Sequence, residues 1–163
     1  MITEHGLRAP LLAVVTAGAL ALSLAPAAVA APAKAPSLKI SATSKLKDGQ
    51  VLTVSGSGFD VRKGIYVAFC VAPKPGQAPT PCGGAPGGET SSSAVWIASN
   101  PPPYGKGLTT PFKKGGSFKV PVTVSTSIGE FDCTVVQCGI AARADHRRSS
   151  DRTQDVFVPV SFS

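Results

Sequence analysis

The chain has 163 residues, 43% hydrophobic and 15% charged, with 16 Lys and Arg against 9 Asp and Glu for a formal balance of +7. Beyond the N-terminal run, no stretch approaches the ~20 apolar residues that a membrane-spanning helix needs. The basic residues are not interleaved with aromatics as in a nucleic-acid stacking surface, so the charge serves solubility or attracts acidic polymers.

Residues 1–30 read as a signal peptide. Arg8 supplies a positive n-region, Leu11 to Leu24 is apolar, and Ala28-Val29-Ala30 is a small-x-small cleavage signal. Its removal takes one charge of each sign (Glu4 and Arg8), so the mature balance stays +7. Residues 31–36 form a Pro/Ala tail, expected to be mobile. Residues 37–163 are expected to form one small domain.

Leu38, Ile40 and Ala42 alternate with polar residues, the period of a half-buried strand. Lys47-Asp48-Gly49 is a turn signal, and Val51 to Val54 starts a second strand. Gly56 and Gly58 mark a bend or a close backbone approach. Ile65 to Val71 is the most strand-like run, rich in β-branched and aromatic residues. Pro73 to Gly88 is too rich in Pro and Gly for helix. Ala94 to Ala98 is a short strand carrying the only Trp, Trp96, and the Asn100–Gly105 segment is stiffened by three prolines. Lys113 to Gly116 is a turn. Phe118, Val120, Val122 and Val124 then alternate along a strand in which Pro121 predicts an edge position. Val135-Val136, Ile140 to Ala142 and Val156 to Phe162 are read as the last strands, with Pro159 again at an edge. Between them Gly129 to Phe162 reads as strand, disulfide-closed ribbon, strand, polar loop and final strand. Phe59, Phe69, Phe118 and Phe157 are assigned to the core.

Short strands punctuated by Gly, Pro and Ser turns, with no sustained helical period, predict an all-β fold. About seven strands in a chain of this length fit an immunoglobulin-like antiparallel sandwich. Four cysteines, at 70, 82, 133 and 138, follow the signal peptide, an even count that points to disulfides rather than metal or thiol chemistry. Of the three pairings, Cys70–Cys82 with Cys133–Cys138 is preferred, because each pair brackets a Gly-rich or polar connection between strand-like runs.

Two motifs carry a family resemblance. Asp48-Gly49-x-Val51-x-x-Val54-x-Gly56-x-Gly58 leads into a strand ending at Cys70. Asp132-Cys133-Thr134-x-x-x-Cys138 precedes a closing strand ending Val160-Ser161-Phe162. Together, behind a signal peptide, they resemble the neocarzinostatin family of secreted actinobacterial apoproteins. The resemblance implies a seven-stranded immunoglobulin-like sandwich with two local disulfides at these positions. It further implies carriage of a labile enediyne chromophore in a cleft reaching the Cys133–Cys138 ribbon, with DNA damage and antibiotic activity belonging to the released chromophore. The protein's part would be an apolar, water-poor shelter. Departures from the family pattern include Ala72, where an aromatic follows the first cysteine by two, and Arg143, in register with a serine near the cleft floor. The basic charge departs as well.

The mature chain has one histidine, His146, in a polar loop with Asp145, Ser149, Ser150 and Asp151. Without a Gly-x-Ser-x-Gly elbow, sequence proximity does not make a catalytic triad, so His146 is read as solvent-facing. No catalytic residues and no metal ligands are assigned, since one His and four oxidised cysteines leave no N/S ligand set. In the loop from Arg143 to Asp155, four Arg oppose three Asp, which reads as surface ion pairing. Trp96, Tyr104, Arg143 and Arg147 are the candidate ligand contacts, the aromatics lining a shallow cleft and the guanidinium groups holding an anion at two points.

The resulting expectation is a monomeric, secreted, non-catalytic binding domain without a resident cofactor. Its partner would be an apolar small molecule, an enediyne in the sharpest form, and DNA would be reached only through that molecule. Two alternatives stand beside it: a wall or cell-surface module that uses its basic surface, and a protease inhibitor presenting the Pro73–Pro81 loop.

Overall fold

The structure, a computed structural model, describes residues 34–84 and 92–163. The signal peptide with its cleavage site, the start of the Pro/Ala tail and the end of the Pro73–Gly88 segment lie outside the described residues. Ten strands are present among those described: β1 (Ser37–Ile40), β2 (Val51–Ser57), β3 (Ile65–Val71), β4 (Ala94–Ile97), β5 (Thr109–Thr110), β6 (Phe118–Thr123), β7 (Ser127–Ile128), β8 (Phe131–Asp132), β9 (Cys138–Ala144) and β10 (Val156–Val160). One sheet runs β1-β2-β6 and the other β10-β9-β3-β4-β5, while β7 and β8 pair as a small ribbon.

Period-two patterning decides which residues meet between the sheets. Leu52 and Val54 of β2, with Phe118, Val120 and Val122 of β6, face Ile65, Val67 and Phe69 of β3, Ile97 of β4, and Ile140 and Ala142 of β9. Burying each large side chain of this set contributes about 1.5–3 kcal/mol. Gly56 lies opposite Phe118 in the β2–β6 register. A Cβ there would fall 2.2 Å from the Phe118 ring, so the close approach read from the glycine spacing is real. Both strands that carry an internal proline, β6 with Pro121 and β10 with Pro159, lie at sheet edges, where a missing N–H costs no ladder bond.

The disulfides join Cys70 to Cys82 and Cys133 to Cys138. Two expectations fail locally. Val135 and Val136 are not strand: they are 82% and 36% exposed in the turn closed by the second disulfide. That loop is tied by bonds from the amides of Val135 and Val136 to Asp132 O, at 3.0 and 2.8 Å, and is too tight to extend. Phe157 is not in the inter-sheet core. Val156 and Val160 pack on the inter-sheet core and Val158 shares their side by alternation, so Phe157 points outward and packs over Ala68 and Ala141.

Candidate ligand-binding face

The outer face of the five-stranded sheet carries the side chains of chemical interest. Register places Thr109, Trp96, Tyr66 and Arg143 in one row across β5, β4, β3 and β9. A second row runs Ala94, Ala68, Ala141 and Phe157, so large residues in the first row flank a floor of methyl groups. Strand β3 is consequently buried on both sides, with Tyr66 and Ala68 outward and Ile65, Val67 and Phe69 inward.

Chain segments close over the first row. Prolines 101–103 pre-set a tight turn in which Gly105 N–H donates to Pro102 O at 2.8 Å. This lays Gly105 against the Trp96 ring, where a Cβ would come within 2.8 Å. Tyr104 stacks over the same indole at 6.2 Å and 28° and stays 63% exposed, whereas Trp96 is 4% exposed. The turn His146–Arg148 closes over Tyr66. It is capped by Asp145, whose side chain accepts from Arg147 N–H at 3.1 Å. The other oxygen of Asp145 accepts from Trp96 Nε1–H at 3.1 Å. Asp145 is 1% exposed and fits only because residue 64 is glycine, since a Cβ there would lie 2.0 Å from Asp145 Oδ2.

His146 spans the two tyrosines. Its Nδ1 meets Tyr66 Oη at 2.5 Å and its Nε2 meets Tyr104 Oη at 2.7 Å. In a neutral ring one nitrogen donates and the other accepts, so one tyrosine hydroxyl donates to His146 and the other accepts from it. Burial, then Asp145 and Tyr104, pushes the Tyr66 phenol up to about 12. Arg143 donates to Pro79 O at 3.4 Å and so fastens the Pro73–Cys82 loop to the sheet. Arg147 donates to Asn100 O at 3.5 Å.

Beside this cover, between the Pro73–Pro79 segment and the start of β10, lies a concavity of about 420 Å³. Its apolar lining includes Pro73, Pro75, Pro79, Val156 and Phe157. Lys74, Arg152 and Asp155 form its polar end. Arg152 Nη1 lies 2.9 Å from Asp155 Oδ2. Burial raises the Asp155 carboxyl from its ordinary value, with Arg152 and Arg143 opposing. The volume falls in the range of small-molecule sites.

The four candidate contacts therefore divide. Trp96, Tyr104 and Arg147 gather around His146 and Asn100; Arg143 shares the face and donates to the Pro79 carbonyl; none of the four lines the concavity. At one end the concavity adjoins the Cys133–Cys138 ribbon, since Pro73 of its lining follows Ala72, whose N–H donates to Gln137 O at 2.8 Å. Its other end lies farther off: Cys138 pairs with Val160, four residues along β9 from the level of Val156, or about 13 Å at the strand rise. The ribbon borders a separate depression of about 390 Å³ lined by Thr126, Phe131, Asp132 and Thr134 among others.

Sequence reasoning missed Tyr66 and Asp145. Tyr66 carried a usable signal, since it alternates with Ile65 and Val67. The charged loop also pairs less than its composition implied. Arg152 meets Asp155 within it, while Asp151 reaches back 2.6 Å to Lys63. Among the described residues, no cluster of three or more His, Cys, Asp or Glu is placed to hold a metal, and no helix is long and apolar enough to cross a membrane.

The neocarzinostatin family model matches residues 38–162. Among solved structures, macromomycin aligns with a TM-score of 0.53 at 16% identity, covering 79% of this chain and 100% of that one. The solution conformation of apokedarcidin aligns with a TM-score of 0.47 at 17% identity, covering 80% and 100%. At such identity the likeness to macromomycin is one of fold. No curated protein sequence matches the chain. With both disulfides in place and the family match running across nearly all of the sandwich, this chain belongs to the neocarzinostatin family.

Proposed function

We propose that this chain is exported behind a signal peptide cleaved near Ala30 and works as a non-catalytic carrier that shelters an apolar small molecule. In its sharpest form the cargo is an enediyne chromophore, and any action on DNA belongs to the released cargo. The observation that carries this reading is the concavity of about 420 Å³ with Phe157, Val156 and Pro79 in its lining, on the outer sheet face of a neocarzinostatin-family sandwich. Apolar surface of that kind is what a water-sensitive molecule requires of a host. Family membership supports the same reading.

A carrier role without chemistry is supported by how the ionisable groups are used. His146 is held at both nitrogens by tyrosine hydroxyls, and Asp145 serves Trp96 and the Arg147 amide rather than His146. The experiment is extraction of protein secreted by its own host with organic solvent, which is expected to release an absorbing small molecule. Rebinding of that extract should weaken at least tenfold in Phe157→Ser. Extraction that yields nothing, or rebinding indifferent to Phe157, overturns the proposal.

A further inference from the structure

A second feature of the outer face is exposed rather than concave. The Tyr104 ring stands 63% exposed, yet it is fixed at every other point. Its hydroxyl is bound to His146 Nε2 at 2.7 Å, its inner face is stacked on Trp96, and its backbone lies in a turn begun by three prolines. Beneath it, Trp96 is anchored through its own N–H to the buried Asp145. An aromatic ring held this way loses little conformational entropy when a ligand settles on it.

Arg147 is a positive group beside the platform, and two further cations are near it in sequence. Arg147 reaches the Asn100 carbonyl beside the turn. Arg148 follows it in the same short turn, and Lys106 lies two residues past Tyr104; both are exposed. Among the described residues none of Arg147, Arg148 or Lys106 forms an ion pair, whereas Arg62, Lys63 and Arg152 all do.

We propose that the Tyr104–Trp96 stack with Arg147 and Arg148 is a binding site for an acidic glycan, a pyranose whose C–H face lies on Tyr104 and whose carboxylate meets a guanidinium. Among the described residues the platform is open on the outer side of Tyr104, which is 63% exposed. A wholly apolar planar ligand would stay half in water there, while a sugar, apolar on its face and polar at its edge, matches both the ring and the guanidinium beside it. The guanidinium fork suits a carboxylate at two points. Single-stranded nucleic acid fits less well, because it calls for successive exposed rings along a basic groove, and Trp96 is covered.

The site is separate from the cargo concavity, so its test is independent of the carrier reading. Disulfide-intact protein is titrated with polygalacturonate, dextran, polyglutamate and oligothymidylate, following emission from Trp96, the chain's one tryptophan, and calorimetry. Polygalacturonate is expected to bind at least tenfold more tightly than the other three. Tyr104→Ala should lose at least tenfold, and so should the double change Arg147→Ala with Arg148→Ala. Tyr104→Phe, which keeps the ring, should lose less than Tyr104→Ala. Circular dichroism identical to the parent shows that these surface variants fold. Polyglutamate binding as tightly as polygalacturonate would reduce the site to bare charge, and dextran doing so would remove the acidic requirement. Oligothymidylate binding more tightly would replace the glycan with nucleic acid. Any of these, or a Tyr104→Ala variant within twofold of the parent, overturns the proposal.

Discussion

Asp145 is the structural keystone of the outer face, and its removal gives a quantitative test of how that face is built. Asp145→Ala leaves the indole N–H of Trp96 without its partner in a setting that is 4% exposed. An unsatisfied buried donor costs about 1–3 kcal/mol. The same change removes the side-chain cap of the His146–Arg148 turn, about 1 kcal/mol. Together the loss is about 2–4 kcal/mol, and at about 4 °C per kcal/mol for a domain of this size the Tm should fall by about 8–16 °C. Thermal and urea unfolding followed by circular dichroism, with disulfides intact, measures it. A double-mutant cycle with Trp96→Phe isolates the indole bond, because phenylalanine has no N–H to strand, and a coupling of about 1–3 kcal/mol is expected. A loss below about 0.5 kcal/mol, or strict additivity of the two changes, would refute the reasoning.

Other consequences follow from the same contacts. Replacing Cys133 and Cys138 by serine opens a bridge with a separation of 5 residues and should cost about 2 kcal/mol, against about 3 kcal/mol for the Cys70–Cys82 bridge with its separation of 12, by loop-closure entropy; equal or reversed losses in urea unfolding would contradict this. In acid, the side chain and amide of Arg62 hold Asp60 at about 2, below the unfolded value of about 3.9. Its contribution to stability is therefore complete above about pH 4 and lost as pH falls through about 2. Asp60→Asn should flatten the stability curve in that window, and an unchanged slope would be the contrary result. In alkali, the Tyr66 phenol at about 12 gives a contribution complete below about pH 10 and lost as pH rises through about 12. Absorbance titration of the folded protein should show a tyrosine ionising near 12 that disappears in Tyr66→Phe; complete ionisation near 10 would contradict it.

Much of the fold was legible because strand alternation is a short-range signal. Phe118, Val120 and Val122 report the inner face of β6 without any knowledge of β2, and Pro121 and Pro159 report edges through the donor they lack. The outer-face cluster was harder to read, since its contacts join residues far apart in the chain. Trp96 and Asp145 are separated by 49 positions, and His146 lies 80 and 42 positions from its two tyrosines. Within its own loop Asp145 looks like one charge among seven. His146 is exposed, as its loop setting implies, yet both nitrogens are engaged. Phe157 was misassigned although its own strand held the answer: the valines on either side of it take the inner face. Val135 and Val136 show the converse, where apolar character was outweighed by the short covalent loop enclosing them.

The central claim, that the outer face of the larger sheet carries a non-covalent small-molecule cargo, is tested most directly by native mass spectrometry of the protein secreted by its own host. The account predicts a species heavier than the disulfide-bonded polypeptide by one small molecule, reduced to the bare polypeptide mass after solvent extraction and diminished in Phe157→Ser. A single species at the polypeptide mass, from folded protein with both bridges intact, would contradict it.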